Sequence, residues 1–119
     1  MAGQDSSDPA AMALNQVAEA AETTAREQQE AAATARRMSR ARGRGASWRD
    51  LADSQAPRTL LRFVAGGARR LFDVGANLRR RIARAMAEEG ATTREIGQQF
   101  GVSHQRVSSL LREERESTR

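Results

Sequence analysis

The chain of 119 residues contains no cysteine, no lysine and no tyrosine, and it has one histidine. Without cysteine it forms no disulfide, no thiolate metal site and no cysteine nucleophile. With one histidine and no tyrosine, few side chains remain for acid–base catalysis. The sequence shows no nucleotide-binding loop, no metal-ligand cluster and no nucleophile–base pair. We therefore expect a protein that is not an enzyme and that has no cofactor.

Long apolar runs are also missing. No stretch approaches the 18 residues that would predict a membrane-spanning helix. The N-terminus lacks the basic and then apolar pattern of a signal peptide. The expectation is a cytoplasmic protein with no membrane partner.

Large apolar residues are scarce in the first third of the chain. Of the 18 Val, Ile, Leu and Phe residues, only Leu14 and Val17 precede residue 46. The core is therefore predicted in the C-terminal part, and the chain has apolar residues for one small domain.

Charge is divided unevenly along the chain. Residues 1–35 hold six acids and one arginine, whereas residues 36–119 hold 19 arginines and nine acids. Six of these arginines lie within residues 36–49, which contain no acid. A cationic segment of this size indicates a polyanionic partner, most simply nucleic acid, and a nucleoid-associated location.

The N-terminal part is predicted to be a disordered tail over residues 1–8 and a long helix over residues 9–42. Asp8 and Pro9 are typical of a helix start, and the following residues are mostly Ala, Glu, Gln and Arg, which favour helix. Its weak heptad pattern leaves three possibilities open: a weak coiled coil between copies, packing against its own domain, or a solvated helix.

The chain after residue 42 is also predicted to be helical, because no segment alternates with period two. The fold class is therefore all-α. We expect the Gly66–Gly67 pair to separate a segment over residues 46–65 from a domain over residues 68–115, and Gly75 to kink or divide the helix that comes next. Two short helices are predicted last, over 92–99 and 103–115.

An internal repeat joins two of these segments. Residues 45–52 align with residues 90–97 at an offset of 45, both beginning Gly-Ala and then a hydroxyl residue. A looser match continues at an offset of 46, pairing Leu61 with Val107 and Val64 with Leu110. We interpret this as a duplication with a degenerate first copy.

The second copy has the pattern of a helix-turn-helix. Two helices that cross steeply need a small residue where their backbones meet, here Gly97, and a turn residue that tolerates positive φ, here Gly101. Apolar residues from both helices fill one wedge, and Ser103 caps the second helix. The spacing of all these residues suits the motif.

The stretch Gly101-Val102-Ser103-His104-Gln105-Arg106-Val107-Ser108 resembles the turn and recognition helix of the lactose-repressor family. The opening of the first copy, Ser47-Trp48-Arg49-Asp50-Leu51-Ala52, resembles that of many small bacterial helix-turn-helix proteins, and the stretch 101–108 is also similar to the promoter-reading end of bacterial sigma factors. The resemblance covers residues 92–115 and implies that the residues at positions 104 and 105 read bases. The histidine at 104 is not the residue that the repressor family usually has, so its base preference is not implied.

The candidate DNA-binding residues lie on and before the second helix. Gln105 can bond adenine with both ends of its amide, whereas Arg106 and Arg112 are expected to contact phosphate. The full set is Thr92, Thr93, Ser103, His104, Gln105, Arg106, Ser108, Ser109 and Arg112.

The first copy has two interpretations. Pro57 suits the start of a second recognition helix, from which Arg58, Thr59 and Arg62 would point outward. Alternatively the copy is scaffold, with a core formed by Trp48, Leu51, Leu61 and Phe63. Further phosphate contacts are expected from Arg79, Arg80 and Arg84.

The leading hypothesis is a sequence-specific transcriptional regulator that places helix 103–112 in the major groove of double-stranded DNA. One such motif gives limited affinity, so a homodimer or a second motif is expected. One alternative is an architectural or genome-maintenance protein, of phage or plasmid type, with little sequence preference. The other is an adaptor that binds a protein such as RNA polymerase through its N-terminal helix.

Overall fold

The structure, a computed structural model, describes residues 8–117 and consists of five helices without a strand in that range. They are α1 (Pro9–Gly43), α2 (Trp48–Asp53), α3 (Ala56–Glu88), α4 (Thr93–Phe100) and α5 (His104–Ser117). The predictions of an all-α fold and of a long N-terminal helix are confirmed. The tail predicted over residues 1–8 lies, except for Asp8, outside the described residues.

The chain forms two compact units. Residues 18–72 make up one, and residues 73–117 with the start of α1 make up the other. We call them the middle unit and the terminal unit. The long helices α1 and α3 each contribute to both.

The start of α1 agrees with the sequence signal. The Asp8 carboxylate accepts hydrogen bonds from the backbone N–H groups of Ala10 and Ala11, both at 3.1 Å. Pro9 is the first helical residue. Because the first turn of a helix has no internal acceptors for its N–H groups, this cap fixes where α1 begins.

In the middle unit, α1 packs against α3 through small residues. Ala20, Thr24, Ala31 and Thr34 are buried on α1. On α3, a Cβ added to Gly67 would lie 2.7 Å from the side-chain nitrogen of Gln28 and 3.0 Å from the Thr24 methyl, so side chains of α1 pack directly over this glycine. Of the three possibilities for the N-terminal helix, packing against its own chain is the one found in this unit.

Polar bonds also join the two helices within the middle unit. The Gln28 side chain donates to the Phe63 carbonyl at 3.1 Å. Arg70 donates to the Thr24 hydroxyl at 3.0 Å and pairs with Glu27 at 2.7 Å. These bonds fix the register of α1 on α3 because each needs a particular residue opposite.

The prediction that the Gly66–Gly67 pair ends a helix is wrong. α3 continues through both residues and through Gly75 for 33 residues. A glycine inside a helix costs about 1 kcal/mol relative to alanine, which neighbouring helix formers and tertiary packing outweigh. Gly67 also has a packing role, since α1 fills the space where its side chain would be. The boundary between 46–65 and 68–115 therefore does not separate two helices.

The terminal unit has a core that three helices share. Ala83, Ile96 and Val107 are completely buried, one from each of α3, α4 and α5. Half-buried apolar residues surround them: Met86, Ala87, Ala91, Phe100, Val102 and Leu111. This core holds α4 and α5 in a fixed orientation on the last turns of α3.

None of the helices in the described range is both long enough and apolar enough to cross a membrane.

Candidate nucleic-acid interface

A tight turn leads from α3 into α4. Gly90 has a φ of +97°, and the Ala91 N–H donates to the Met86 carbonyl at 2.9 Å. The Thr92 hydroxyl then accepts from the Glu95 N–H at 3.1 Å, while the Glu95 carboxylate accepts from the Thr92 N–H at 2.9 Å. This reciprocal capping box fixes the first turn of α4.

The capping box also changes the acidity of Glu95. The hydrogen bond from the Thr92 backbone, and secondly the one with the Thr92 side chain, lower the pKa of the Glu95 carboxyl below its ordinary value. Both favour the charged form. Glu95 therefore stays ionised at the positive end of the α4 dipole, where a negative charge is stabilising.

The turn from α4 to α5 depends on two glycines. Gly101 is left-handed, with φ +68°, and the Val102 N–H donates to the Gly97 carbonyl at 2.9 Å. A Cβ added to Gly97 would lie 2.6 Å from the Val102 carbonyl oxygen, which is closer than real Cβ atoms come. Gly97 therefore lies where the backbone of the next turn passes closely, and Gly101 supplies the positive φ of that turn.

α5 has one face in the core and one in solvent. Val107 and Leu110 are buried, and Glu114 is buried on the same face in an ion pair with Arg81 of α3. The predicted DNA-binding residues on α5 are exposed, apart from the half-buried Ser109: His104, Gln105, Arg106, Ser108, Ser109 and Arg112. The structure therefore gathers these six on the surface of a single anchored helix.

Four candidate hydroxyl residues already make hydrogen bonds inside the protein. The Ser103 hydroxyl accepts from the Arg106 N–H and caps α5, as Thr92 caps α4. The Ser108 and Ser109 hydroxyls donate to the carbonyls of residues 104 and 105. Thr92 and Ser103 therefore have a structural role at the helix starts. Thr93 is half-buried and has little surface to offer a partner.

The longer candidate side chains differ in their freedom. Arg106 pairs with Glu113 at 3.3 Å, and Arg112 donates to the Ser109 hydroxyl at 3.3 Å. The side chains of His104 and Gln105 bond to no other residue of the described chain. Gln105 is therefore the amide of this helix that is most available to a partner.

The first repeat copy starts like the second. Gly45 has a φ of +103°, the Ala46 N–H donates to the Ala41 carbonyl, and the Ser47 hydroxyl caps α2. Leu51 is buried, like Ile96 at the matching position. The repeat is therefore structural as far as the end of the first short helix.

Beyond that point the copies differ. Gln55 takes the left-handed conformation, with φ +69°, and α3 begins at the next residue. Leu61 and Val64 are exposed, although their counterparts Val107 and Leu110 are buried. The first copy therefore has no second recognition helix that packs in the way α5 does. Arg58 and Arg62 are exposed and Thr59 is half-buried, all on the long helix α3.

The scaffold interpretation of the first copy is also only partly right. Leu51 is buried and Phe63 half-buried, but Trp48 is 63% exposed and Leu61 is 66% exposed. Trp48 is the first residue of the six-residue helix α2, which buries Leu51 on its inner side. The Arg42 guanidinium lies 5.3 Å from the Trp48 ring centre, a cation–π contact on the surface.

The predicted phosphate contacts on α3 are not equivalent. Arg79 is exposed, Arg80 is half-buried, and Arg84 pairs with Glu88 at 2.9 Å. The neighbouring Arg81 has a structural role that was not predicted, since it anchors α5 through Glu114. The sequence signal for this role is the position of Glu114. It lies three residues after Leu111 and four residues after Leu110, and therefore on the apolar face of α5.

Within residues 8–117, no three His, Asp or Glu side chains are grouped so that they could hold a metal ion. In comparisons with known proteins, no family model, no curated protein and no solved structure matches the chain.

Proposed function

We propose that this protein binds double-stranded DNA in a sequence-specific manner and regulates transcription, with α5 as the helix that enters the major groove. The observation that carries the proposal is the division of α5 into an anchored face and an exposed face. Val107 and Leu110 hold the helix on the core, and Gln105, Ser108 and Arg112 point to solvent.

The dimensions and chemistry of α5 support this proposal. The major groove is about 12 Å wide, which admits one α-helix. His104, Gln105 and Ser108 near the start of the exposed face are short and none of them is acidic, so they allow close approach to base edges. Gln105 offers a donor and an acceptor in the arrangement that adenine matches.

Charge indicates which end of α5 enters the groove. The N-terminal half carries His104, Gln105 and Arg106 and no acid, whereas Glu113 and Glu116 lie in the C-terminal half. Because phosphates repel carboxylates, the N-terminal half is the part that approaches DNA most closely. The amide N–H groups at a helix start favour the same orientation.

The test starts from a random duplex pool. Sequences bound by the full-length protein are selected, and affinities for the selected and a scrambled duplex are then measured at one stated salt concentration. Gln105→Ala should weaken binding to the selected duplex by about 5- to 150-fold, which corresponds to about 1–3 kcal/mol. Binding to the scrambled duplex should change less than about twofold, since backbone contacts carry it.

A matched control is Gln29→Ala, which removes the same side chain from an exposed position of α1. It should leave both affinities unchanged. Equal losses on the two duplexes after Gln105→Ala would show that Gln105 contacts only the backbone. A pool that yields no enriched sequence would overturn sequence-specific recognition altogether.

Regulation is tested separately from binding. A promoter that carries the selected sequence should change its output when the wild-type protein is present. The Gln105→Ala protein should lose most of that change. If the promoter responds to neither protein, the proposed DNA binding would stand but the proposed role in transcription would be contradicted.

A second candidate function is architectural DNA binding with little sequence preference, and the arginines of residues 36–49 favour it. All six are exposed: Arg36, Arg37, Arg40, Arg42, Arg44 and Arg49. In the described part of the chain, none of them forms an ion pair with an acid. Such a group of uncompensated charges suits a phosphate backbone.

Salt dependence distinguishes the two candidates. In the architectural case, selected and scrambled duplexes bind equally, and Arg40→Gln with Arg44→Gln lowers the slope of log affinity against log salt by about 0.9 per lost contact. Arg26→Gln, in the acidic half of α1, is the matched control and should leave the slope unchanged. A large preference for the selected duplex would exclude this candidate. Binding of RNA polymerase through α1 stays a prediction.

A further inference from the structure

The first half of α3 carries an apolar stripe on its surface, which we call the α3 stripe. Its members are Leu61, Val64, Ala68, Leu71 and Phe72, all in the middle unit and all exposed. Leu61 is 66% exposed and Phe72 is 75% exposed. Large apolar side chains as exposed as these are unusual when they adjoin one another on one helix.

The stripe lies on the side of α3 that faces away from α1. The residues of α3 that meet α1 are Phe63, whose carbonyl binds Gln28, Gly67 beneath Thr24, and Arg70. At 100° per residue, the centre of the stripe is more than a quarter turn from each of them. The packing of α1 therefore leaves the stripe uncovered.

The exposed area of the stripe is about 400 Å², estimated from its large side chains and their exposed fractions. The largest apolar patch of a typical monomer covers 300–600 Å² and often has a binding role. The stripe reaches this size within twelve residues of one helix. Its spacing of three, four and three residues is the a/d pattern by which helices pack against helices.

We propose that a second copy of this chain covers the α3 stripe, with the two α3 helices antiparallel about a two-fold axis near residue 66. In that arrangement Leu61 of one copy lies opposite Leu71 of the other, and Val64 lies opposite Ala68. A two-fold interface requires this kind of self-complementarity, because each contact occurs twice. The small residues near the axis, Ala65 and Ala68, let the helices approach.

The edge of the stripe is also complementary to itself. In the antiparallel register, Arg58 of one copy lies two residues, or about 3 Å along the helix, from the position opposite Phe72 of the other, which its long side chain can span. Both side chains are exposed, and Arg58 has no acidic partner in the described chain. A guanidinium over an aromatic face is attractive, so this contact favours the antiparallel register over a parallel one. No charged residue occupies the stripe itself.

The area sets the strength of the dimer. Two copies bury about 800 Å² through the stripe, which is below the 1,200–2,000 Å² of a standard stable interface. The dissociation constant should therefore lie in the micromolar range, roughly 10–100 µM. This interface does not depend on DNA binding, so either proposal can fail without the other.

Sedimentation equilibrium of the full-length protein without DNA, from about 2 µM to about 1 mM, tests the proposal. The wild type should pass from monomer to dimer over this range. Phe72→Glu and Leu61→Glu should each weaken the dimer at least tenfold. Leu14→Glu places the same charge on an exposed leucine of α1 and should leave the dissociation constant unchanged.

Folding of the variants is monitored by helical circular dichroism. Because Leu61 and Phe72 are exposed, both variants should keep the wild-type signal when measured as monomers. Leu61→Ala and Phe72→Ala provide a milder pair that should weaken the dimer severalfold without introducing charge. A monomer throughout the concentration range, or a dimer that these variants leave unchanged, would overturn the proposal.

Single cysteines test the register, since the natural chain has none. In an antiparallel pair, Val64→Cys mixed with Ala68→Cys should form a mixed disulfide dimer under mild oxidation. Ala68→Cys alone should crosslink much less. The reverse preference would indicate parallel helices and would contradict the proposed interface.

Discussion

Gly45 and Gly90 each end a long helix in the same way. The next residue after each glycine donates its N–H to a carbonyl five positions back, and a serine or threonine then caps a short helix. After that helix, Gln55 and Gly101 both adopt the left-handed conformation. Up to this residue the two copies share the same turn and cap, although α2 has six residues and α4 has eight.

The two copies diverge immediately after the left-handed residue. In the second copy, Val102 and Ser103 precede the next helix, and half-buried Val102 contributes to the core. In the first copy, α3 begins directly at Ala56 and is held instead by α1. The second copy therefore has two turn residues after the left-handed residue, and its next helix packs on the short helix before it. The first copy has no such turn residues, and its next helix leaves Leu61 and Val64 exposed.

The largest effect should come from truncating the same apolar position in the two copies. Leu110→Ala opens a cavity in the core of the terminal unit and should lower the free energy of unfolding by about 3 kcal/mol. Val64→Ala, at the matching position, should change it by less than about 0.5 kcal/mol. Urea denaturation monitored by circular dichroism measures both changes in the free energy of unfolding. The protein concentration is about 2 µM, at which the proposed dimer is dissociated.

Equal losses from Leu110→Ala and Val64→Ala would mean that the first part of α3 is packed on α2 as α5 is packed on α4. The single tryptophan offers an independent measurement, since Trp48 lies in the middle unit. The midpoint of the unfolding transition measured by Trp48 fluorescence should be the same for Val64→Ala as for the wild type.

The next largest effect concerns the close approach at Gly97. Gly97→Ala places a Cβ against the Val102 carbonyl and should destabilise the protein by about 2 kcal/mol, because backbone must move. The first copy already has alanine at the matching position, Ala52, which is exposed. Gly66→Ala is the control within a helix, where an added Cβ meets nothing, and it should stabilise by about 0.5–1 kcal/mol. Thermal unfolding gives the sign of both, and a neutral Gly97→Ala would contradict the close crossing of α4 and α5.

Local signals in the sequence predicted much of the fold. Asp8 with Pro9, Gly97, Gly101 and Ser103 act through bonds or sterics within a few residues, and the structure has them in the predicted places. These short-range rules also placed the helix that presents Gln105.

The remaining features depend on residues far apart in the sequence. Gly67 lies inside a helix because α1 packs over it, and no pattern around residue 67 indicates α1. The exposure of Trp48 and Leu61 depends on which helix covers α3, which periodicity does not reveal. The ion pair of Arg81 with Glu114 joins residues 33 positions apart, so the arginines around residue 81 do not indicate it.

A smaller effect of opposite sign in the two copies is expected at the left-handed turn residue. Gly101→Ala should destabilise the protein by about 1 kcal/mol, since a side chain disfavours positive φ. Gln55→Gly should stabilise it by about 0.5–1 kcal/mol for the same reason. Differential scanning calorimetry measures both. If Gln55→Gly lowers the melting temperature, then the Gln55 side chain stabilises the first copy in a way that its backbone does not show.

The smallest effect concerns the caps of the two short helices. The second copy has a full capping box, and hydrogen bonds with Thr92 hold the pKa of Glu95 below its ordinary value near 4.5. In the first copy, the Ser47 hydroxyl caps the Asp50 N–H, and only this half of the box is present among the described residues. The cap of α4 should therefore depend on pH through Glu95.

The lowered pKa decides the sign of this pH dependence. A carboxyl that binds its proton less tightly in the folded state contributes stability above its unfolded pKa and loses it as pH falls through the folded pKa. Carbon-detected NMR titration should give Glu95 a midpoint below 4.5, and Thr92→Val should move the midpoint upward by removing the hydroxyl. Glu95→Gln keeps an oxygen that accepts from the Thr92 N–H but has no proton to bind, so α4 amide exchange in this variant should lose the part of its acid dependence that Glu95 causes. An unshifted Glu95 midpoint would mean that the reciprocal bond does not form in solution and that the two copies are capped alike.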